Sequence, residues 1–295
     1  MGGTPAKESC AICSGGLLAG PAVRIEDFQL LICQACGSWT AVPRPTALAQ
    51  HSFHDSDSYF DHPYLEHRRA NPGLGDRRCA AIFGRIRRVI SLTELRNQRV
   101  MDIGCDTGEF ILSAARQFGI QPVGLDVARR AVARAQAAGV EAYHCSLEDA
   151  PSHLTGLAAI TAIDVIEHVA DPQSFFRAVY ARLRPGGVVY AETPNVDSWV
   201  YQLGRRLSGW TGSRPLATFQ RLFPQEHIQY FSQRGFALLA DACGFELACL
   251  ESRILPLEEI AVGSVTRLAL GALQGLDSLT GDRVLRWAIL RRPTG

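Results

Sequence analysis

Two groups of residues have the types and the spacing to do chemistry. The first is Cys10-Ala-Ile-Cys13, followed after nineteen intervening residues by Cys33-Gln-Ala-Cys36-Gly37. Two CxxC knuckles so separated can set four thiolates tetrahedrally around one zinc ion. No fifth ligand accompanies them, so such a zinc would be structural. Binding worth about 10–16 kcal/mol would hold together a segment too small to fold on a core of its own. Four unrelated buried cysteines or a redox pair are the alternatives. The second group begins in Val100 to Phe110, VMDIGCDTGEF. Val100, Met101 and Ile103 read as a buried strand that ends in a turn built on Gly104 and Gly108, and a helix follows. Glycines there let the backbone approach a ligand, and the helix N-terminus offers free N–H donors. Asp102 and Asp106 have no balancing base beside them, which disfavours a phosphate and suits a ligand with positive charge and hydroxyls. About twenty residues on, the run Pro122 to Val127 ends in Asp126, placed to accept hydrogen bonds from ribose hydroxyls.

The turn is GxDxG rather than the GxGxxG of dinucleotide sites. From about Arg99 to Asn195, and more weakly to Phe245, the chain resembles the class I S-adenosylmethionine (SAM) dependent methyltransferases, whose first motif reads like DIGCGTG. Asp106 stands where that family usually has glycine. The resemblance implies an α/β, Rossmann-like seven-stranded sheet of order 3-2-1-4-5-7-6. It also implies SAM as cofactor, S-adenosylhomocysteine (SAH) as product, and in-line transfer of the sulfonium methyl. Asp102, Gly104, Cys105, Asp106, Thr107 and Gly108 would surround the methionine part, Asp126 and Val127 the ribose, and Ser146 and Leu147 the adenine. Asp164 and Val165 would run beside the methionine and adenosine parts. Glu167-His168-Val169 with Asp171-Pro172 resembles the fourth motif of a subgroup that includes the ubiquinone O-methyltransferases. His168 would border the cofactor there, as a catalytic base or as a brace of the turn. Glu226-His227-Ile228-Gln229-Tyr230-Phe231-Ser232 resembles the segment carrying the proposed base of zinc-bearing deoxysugar C-methyltransferases. His227, aided by Glu226, is therefore the expected general base. The sugar enzymes carry a long C-terminal domain beyond this stretch, so their substrate is not carried over.

The elements that must position these groups follow from periodicity and punctuation. Residues 1–45 form the expected zinc ribbon, with hairpin strands in Ala22 to Ile32. Residues 46–95 form a connector and an N-terminal helix. Pro43 and Pro45 suggest an extended linker, followed by an acidic, aromatic segment. That segment is either a lid that brings Tyr59 and Tyr64 to the substrate or a solvated connector. His51, His54 and His62 have no common metal spacing and read as surface residues. Ala70 to Thr93 reads as a helix with Ile82, Phe83, Ile86 and Ile90 on one face and its arginines mostly on solvated ones. Residues 96–295 form the catalytic domain. Its strands end near Asp126, Leu147, Val165 and Glu192, so that Glu192 and Asn195 would rim the substrate pocket together with Tyr230. A substrate-capping insertion spans about 196–226, where Arg205, Arg206, Arg214 and Arg221 can receive a carboxylate or phosphate. Phe245 to Arg253 and Val284 to Leu290 read as antiparallel closing strands. The apolar stretch Pro256 to Leu279 is expected to pack on the sheet or on a second subunit, which makes a homodimer one expectation.

Composition narrows the class. A net charge of +1 on 295 residues gives no electrostatic reason for nucleic acid or an anionic membrane. Lys7 is the single lysine. No apolar run reaches membrane-spanning length and the first residues lack a signal-peptide core, so a cytoplasmic protein is expected. Nine cysteines then argue for metal ligands and buried thiols over disulfides. The expected reaction is O- or C-methylation of a small molecule, free or bound to a carrier or nucleotide, in specialised-metabolite or sugar biosynthesis. Two other readings stand beside it. One is an RNA base methyltransferase that uses its ribbon for recognition, against which Arg24 is the sole basic residue from Cys10 to Cys36. The other is a catalytically silent SAM-fold protein that binds a partner.

Overall fold

The computed structural model describes residues 9–18, 20–25, 28–210, 212, 215, 222–259, 271, 275 and 281–294. Its strands are β1 (Val23–Arg24), β2 (Gln29–Ile32), β3 (Trp39–Val42), β4 (Arg99–Ile103), β5 (Gln121–Asp126), β6 (Glu141–His144), β7 (Leu157–Ile163), β8 (Leu183–Pro194), β9 (Gln229–Tyr230), β10 (Glu246–Arg253) and β11 (Leu285–Arg291). The helices are α1 (Ala47–His54), α2 (Asp57–Phe60), α3 (Pro63–Arg69), α4 (Pro72–Ile86), α5 (Leu92–Leu95), α6 (Glu109–Phe118), α7 (Arg129–Ala137), α8 (Pro172–Arg182), α9 (Trp199–Trp210) and α10 (Gln233–Ala242). None of them is long and apolar enough to cross a membrane.

Seven strands share one sheet in the order β6-β5-β4-β7-β8-β11-β10. Counted from β4, this is the expected 3-2-1-4-5-7-6. The first five run parallel, and β11 pairs antiparallel with both β8 and β10. Alternation along the strands feeds two apolar cores, one on each face. Met101, Ile103, Val123, Leu125, Ile160 and Val189 pack with Phe175, Phe176 and Val179 of α8 and Phe236 and Leu239 of α10. Val100, Ala159, Val188 and Tyr190 pack with Ile82, Phe83 and Ile86 of α4 and Ile111 and Ala114 of α6.

A second sheet, β1-β2-β3-β9, carries the cysteine knuckles. Its fourth strand comes from some 190 residues further along the chain. Trp39 pairs with Tyr230, and Thr40 Oγ1 donates to Gln229 Oε1 at 2.6 Å. The ribbon is thereby sewn to the main sheet's C-terminal half. Ser232, which caps α10 by accepting from Gly235 N, also donates to the Cys36 carbonyl.

After the linker at Pro43 and Pro45, the segment expected as a lid or a solvated connector forms the short helices α1 to α3. The first two have a local cause at their starts: Thr46 accepts from Ala49 N, and Ser56 accepts from Tyr59 N. The long helix expected over 70–93 stops at Ile86 and resumes as α5, with Ser91 as its cap. The stretch Pro256 to Leu279 lies largely outside the described residues, as do Arg214 and Arg221 of the insertion.

Candidate active site

A cavity of about 1050 Å³ opens above the carboxyl ends of β4, β5, β6 and β7. Ligands in open α/β sheets bind at this position. The volume sits at the top of the usual range for one ligand, roughly 300–1,000 Å³, so cofactor and acceptor can share it. Its floor is the β4–α6 turn. Gly104 has φ +72°, and a Cβ there would come within 2.6 Å of Val165 Cγ2. Gly108, at φ +80°, caps α6, and a Cβ would meet Val140 at 2.7 Å. Only glycine lets this turn lie flat against both neighbours.

The structure gathers most of the expected site residues around this space. Asp102, Gly104, Cys105, Asp106, Thr107, Asp126, Val127, Ser146, Leu147, Asp164, Val165, His168, Tyr59, Glu226 and His227 all line it. Asp126 accepts from Asp106 N and Ala128 N, both at 2.8 Å, which aims its carboxylate. Burial pushes it up to about 6. Asp102 accepts from Thr161 Oγ1 at 2.6 Å, and burial pushes it up to about 7. Two carboxylates held above their ordinary range at one pocket floor favour a cationic ligand, which would restore their charge.

Three imidazoles meet at the other end. The His168 ring stands edge to face with His54 at 4.7 Å and with His227 at 4.8 Å between centroids. His168 Nδ1 donates to the Glu226 carbonyl at 2.9 Å, which fixes its tautomer and braces the turn. Burial holds His168 well below the usual histidine range and brings His227 down to about 4. Both are neutral near pH 7, so each has a lone pair for a proton or a ligand. Glu167, His168 and His227 offer ligand atoms within 4.8 Å of one another and can hold a metal ion. Burial keeps the Glu167 carboxyl well above its ordinary range, and Thr193 Oγ1 donates to it at 2.9 Å.

Other expected residues lie elsewhere. Gly108 sits behind the wall. Glu192 and Asn195, expected on the rim, are fully buried beneath it because β8 runs on to Pro194. Glu192 binds Arg253, Tyr190 and Arg78, and Asn195 Oδ1 accepts from Arg286 Nε at 2.9 Å. Tyr230 is buried against Trp39, Tyr201 and Phe223 and donates to the Leu222 carbonyl. Tyr64 belongs to α3, and its side chain is outside the described residues. Two residues read as solvent-facing are interior. His54 lines the cavity at 9 % exposure, and Arg78 donates to Asp164 Oδ2 at 2.7 Å from a buried position. Arg78 was legible: it stands four and eight residues before Ile82 and Ile86, on the face of α4 that points inward.

The four cysteine sulfurs also converge. Cys10 Sγ lies 3.8 Å from Cys36 Sγ, Cys13 Sγ lies 3.4 Å from Cys33 Sγ, and all four fall within 4.8 Å. A tetrahedron with metal–sulfur bonds of about 2.3 Å has edges of about 3.8 Å, so the donor set fits zinc.

A family model described as a methyltransferase domain matches residues 66–250. The chain belongs to this methyltransferase family. The ubiquinone biosynthesis O-methyltransferase of Chromobacterium violaceum is 33% identical over 116 residues, which are 37% of this chain and 50% of that one. That of Idiomarina loihiensis is 26% identical over 163 residues, 52% of this chain and 63% of its own. The chain thus spans about half the length of the curated relatives it matches. Among solved structures, Haemonchus contortus phosphoethanolamine N-methyltransferase 2 in complex with S-adenosyl-L-methionine has a TM-score of 0.59 at 18% identity, covering 83% of this chain and 60% of its own. At that identity the likeness is one of methyltransferase fold.

Proposed function

We propose that the protein transfers the methyl group of SAM to a small-molecule acceptor, with oxygen as the acceptor atom. The observation that carries this reading is Asp126. Its carboxylate ends β5, is aimed by two backbone N–H groups, one of them from the glycine turn, and lines a cavity large enough for two ligands. Bound there, SAM supplies a sulfonium methyl already activated for transfer. The chain's own work is then to hold the partners in line and to take a proton from the acceptor. Asp126 accepts from the ribose hydroxyls, Asp102 and the turn through Thr107 hold the methionine end, and Ser146 and Leu147 border the adenine. His227, neutral and beside Glu226, receives the proton. Oxygen leads among acceptors because the curated relatives carry that name. Cys10, Cys13, Cys33 and Cys36 hold a structural zinc.

Calorimetric titration of SAM into the protein and into Asp126→Ala tests the cofactor assignment. Hydrogen bonds to a charged group contribute about 1.5–3 kcal/mol, so the variant should bind at least about tenfold more weakly. No binding by the folded parent protein would sink the reading.

The same titration across pH has a defined sign. Asp126 stands at about 6 in the free protein. A cationic ligand with hydroxyl donors binds the ionised forms of Asp126 and of Asp102, which burial pushes up to about 7, so affinity is full only above about 7. It should fall by about tenfold for the first pH unit below that and more steeply below about 6. Tighter binding at pH 5 than at pH 7.5 would contradict the role given to Asp126.

A further inference from the structure

The helices α1, α2 and α3 line the cavity with Gln50, His54, Tyr59 and Phe60. Phe60 is the described apolar anchor, buried on Ala128 and Ala131 of the α7 region. Three guanidiniums surround its ring, those of Arg69, Arg130 and Arg134, with Cζ at 3.9, 4.3 and 4.9 Å from the centroid. The His54 ring also packs on His168, and polar ties join these contacts. Asp55 Oδ1 accepts from Arg129 N, and Arg130 pairs with the exposed Asp57 and Asp61.

One tie differs from these. Arg69, the last residue of α3, donates Nη2 and Nε to the two oxygens of Asp106 at 2.6 and 3.1 Å. Its Nη1 donates to the Phe60 carbonyl at 2.6 Å. The pair is half-buried, with the Arg69 side chain 13% exposed. Asp106 is the residue that replaces the usual glycine of the turn, and it keeps a glycine-like φ of +46°. Side chains other than those of Asn, Asp and His seldom take that conformation, and here a two-pronged arginine fixes the Asp106 carboxylate. The Asp106 N–H in turn donates to Asp126. A single arginine therefore joins α3, the turn and the Asp126 carboxylate.

We infer that Arg69 is a positioning residue of the cofactor site, a latch that couples closure of the α1–α3 lid to the shape of the β4–α6 turn. In the closed lid the Asp106 carboxylate is satisfied and its N–H is held on Asp126. When the lid lifts, Asp106 loses its counter-charge and the turn loosens. The inference rests on the reading of this cavity as a SAM site, and the two can fail separately.

The test compares the parent protein with Arg69→Ala, Asp106→Gly and the double variant. Two quantities are read: backbone hydrogen exchange of residues 47–69 without ligand, and the rate at which SAH leaves in stopped flow. Either single variant should speed lid exchange and SAH release by about tenfold, and the double variant should be no worse than one single, because both remove the same pair. Raising salt from about 50 to about 500 mM should speed release more in the parent than in the single variants, which keep only the exposed Arg130 pairs. Global unfolding midpoints should stay together, which separates a latch from general destabilisation. Lid exchange in Arg69→Ala within about twofold of the parent would overturn the latch, as would fully additive effects of the two substitutions. If the parent takes up no SAH while its lid responds to Arg69→Ala, the cofactor reading falls and the latch stands on exchange alone.

Discussion

Cys36→Ser is expected to purify with no bound zinc, to lose the ribbon and to weaken the far end of the active site at once. Structural zinc binding of about 10–16 kcal/mol exceeds what a ribbon of this size can draw from apolar burial, so its loss unfolds the ribbon. The damage should travel, because Cys36 is more than a ligand candidate. Its carbonyl accepts from Ser232, and Ser38 Oγ accepts from Ser232 N at 3.0 Å. Strand β3, which follows the second knuckle, holds β9 through Trp39 and Thr40. Just before β9, Ile228 N donates to the Glu167 carbonyl at 2.9 Å, and Ala41 N donates to the Ile228 carbonyl. His227 and His168 therefore rest on a strand that the ribbon completes. The measurements are zinc per chain by a colorimetric chelator, far-UV circular dichroism, and calorimetric SAM binding. Zinc should fall from one per chain to none. SAM affinity should survive better than methyl transfer, since Asp126 and the glycine turn lie away from the ribbon. Cys249→Ser, in β10 and outside the cluster, should keep its zinc. Full zinc content in Cys36→Ser would remove the cluster from consideration as the metal site.

Glu192→Ala should destabilise the main sheet by about 3–5 kcal/mol, because it leaves buried cations without their counter-charge. Arg253 Nη2 and Nε donate to the two Glu192 oxygens at 2.6 and 2.9 Å, and Tyr190 donates from the same strand face at 2.6 Å. Arg78 and Arg85 approach to 3.6 and 3.8 Å. Burial by itself would raise this carboxyl, but Arg253 and then Arg78 hold it down at about 2. A depressed acid contributes stability above its ordinary value of 4.5, and that contribution drains away as pH falls from there toward 2. Urea unfolding at neutral pH should show the loss, and the gap between the parent and Glu192→Ala should close as pH drops below about 4. A difference under about 1 kcal/mol at pH 7 would mean that the arginines find other partners.

Much of the architecture was legible from residues alone. The strand order follows from short local signals: a glycine turn after Ile103, an acid ending the next strand, Asp171-Pro172 opening a helix and Pro185-Gly186-Gly187 closing it. Each is set by backbone conformation over a few residues, so one chain segment suffices to read it. The CxxC pairs are local in the same sense, since thiolate spacing within each knuckle is decided by the turn between them. The placement of Asp102, Asp126 and Ser146 around one cavity then follows from a parallel sheet whose strands all end on the same side.

Tertiary structure alone decided which side chains reach that cavity. Glu192 and Asn195 sit near a strand end in the chain, yet β8 continues to Pro194 and its alternation turns Glu192 toward α4 and Arg78, beneath the rim. The fate of Tyr230 depends on a pairing with Trp39 across some 190 residues. His54 and Arg69 line the cavity only because α1 to α3 lie over the turn, held by partners at Asp106 and α7 that no local pattern announces. Backbone turns are determined over four or five residues. The burial of a charge is determined by whatever the rest of the chain brings to meet it.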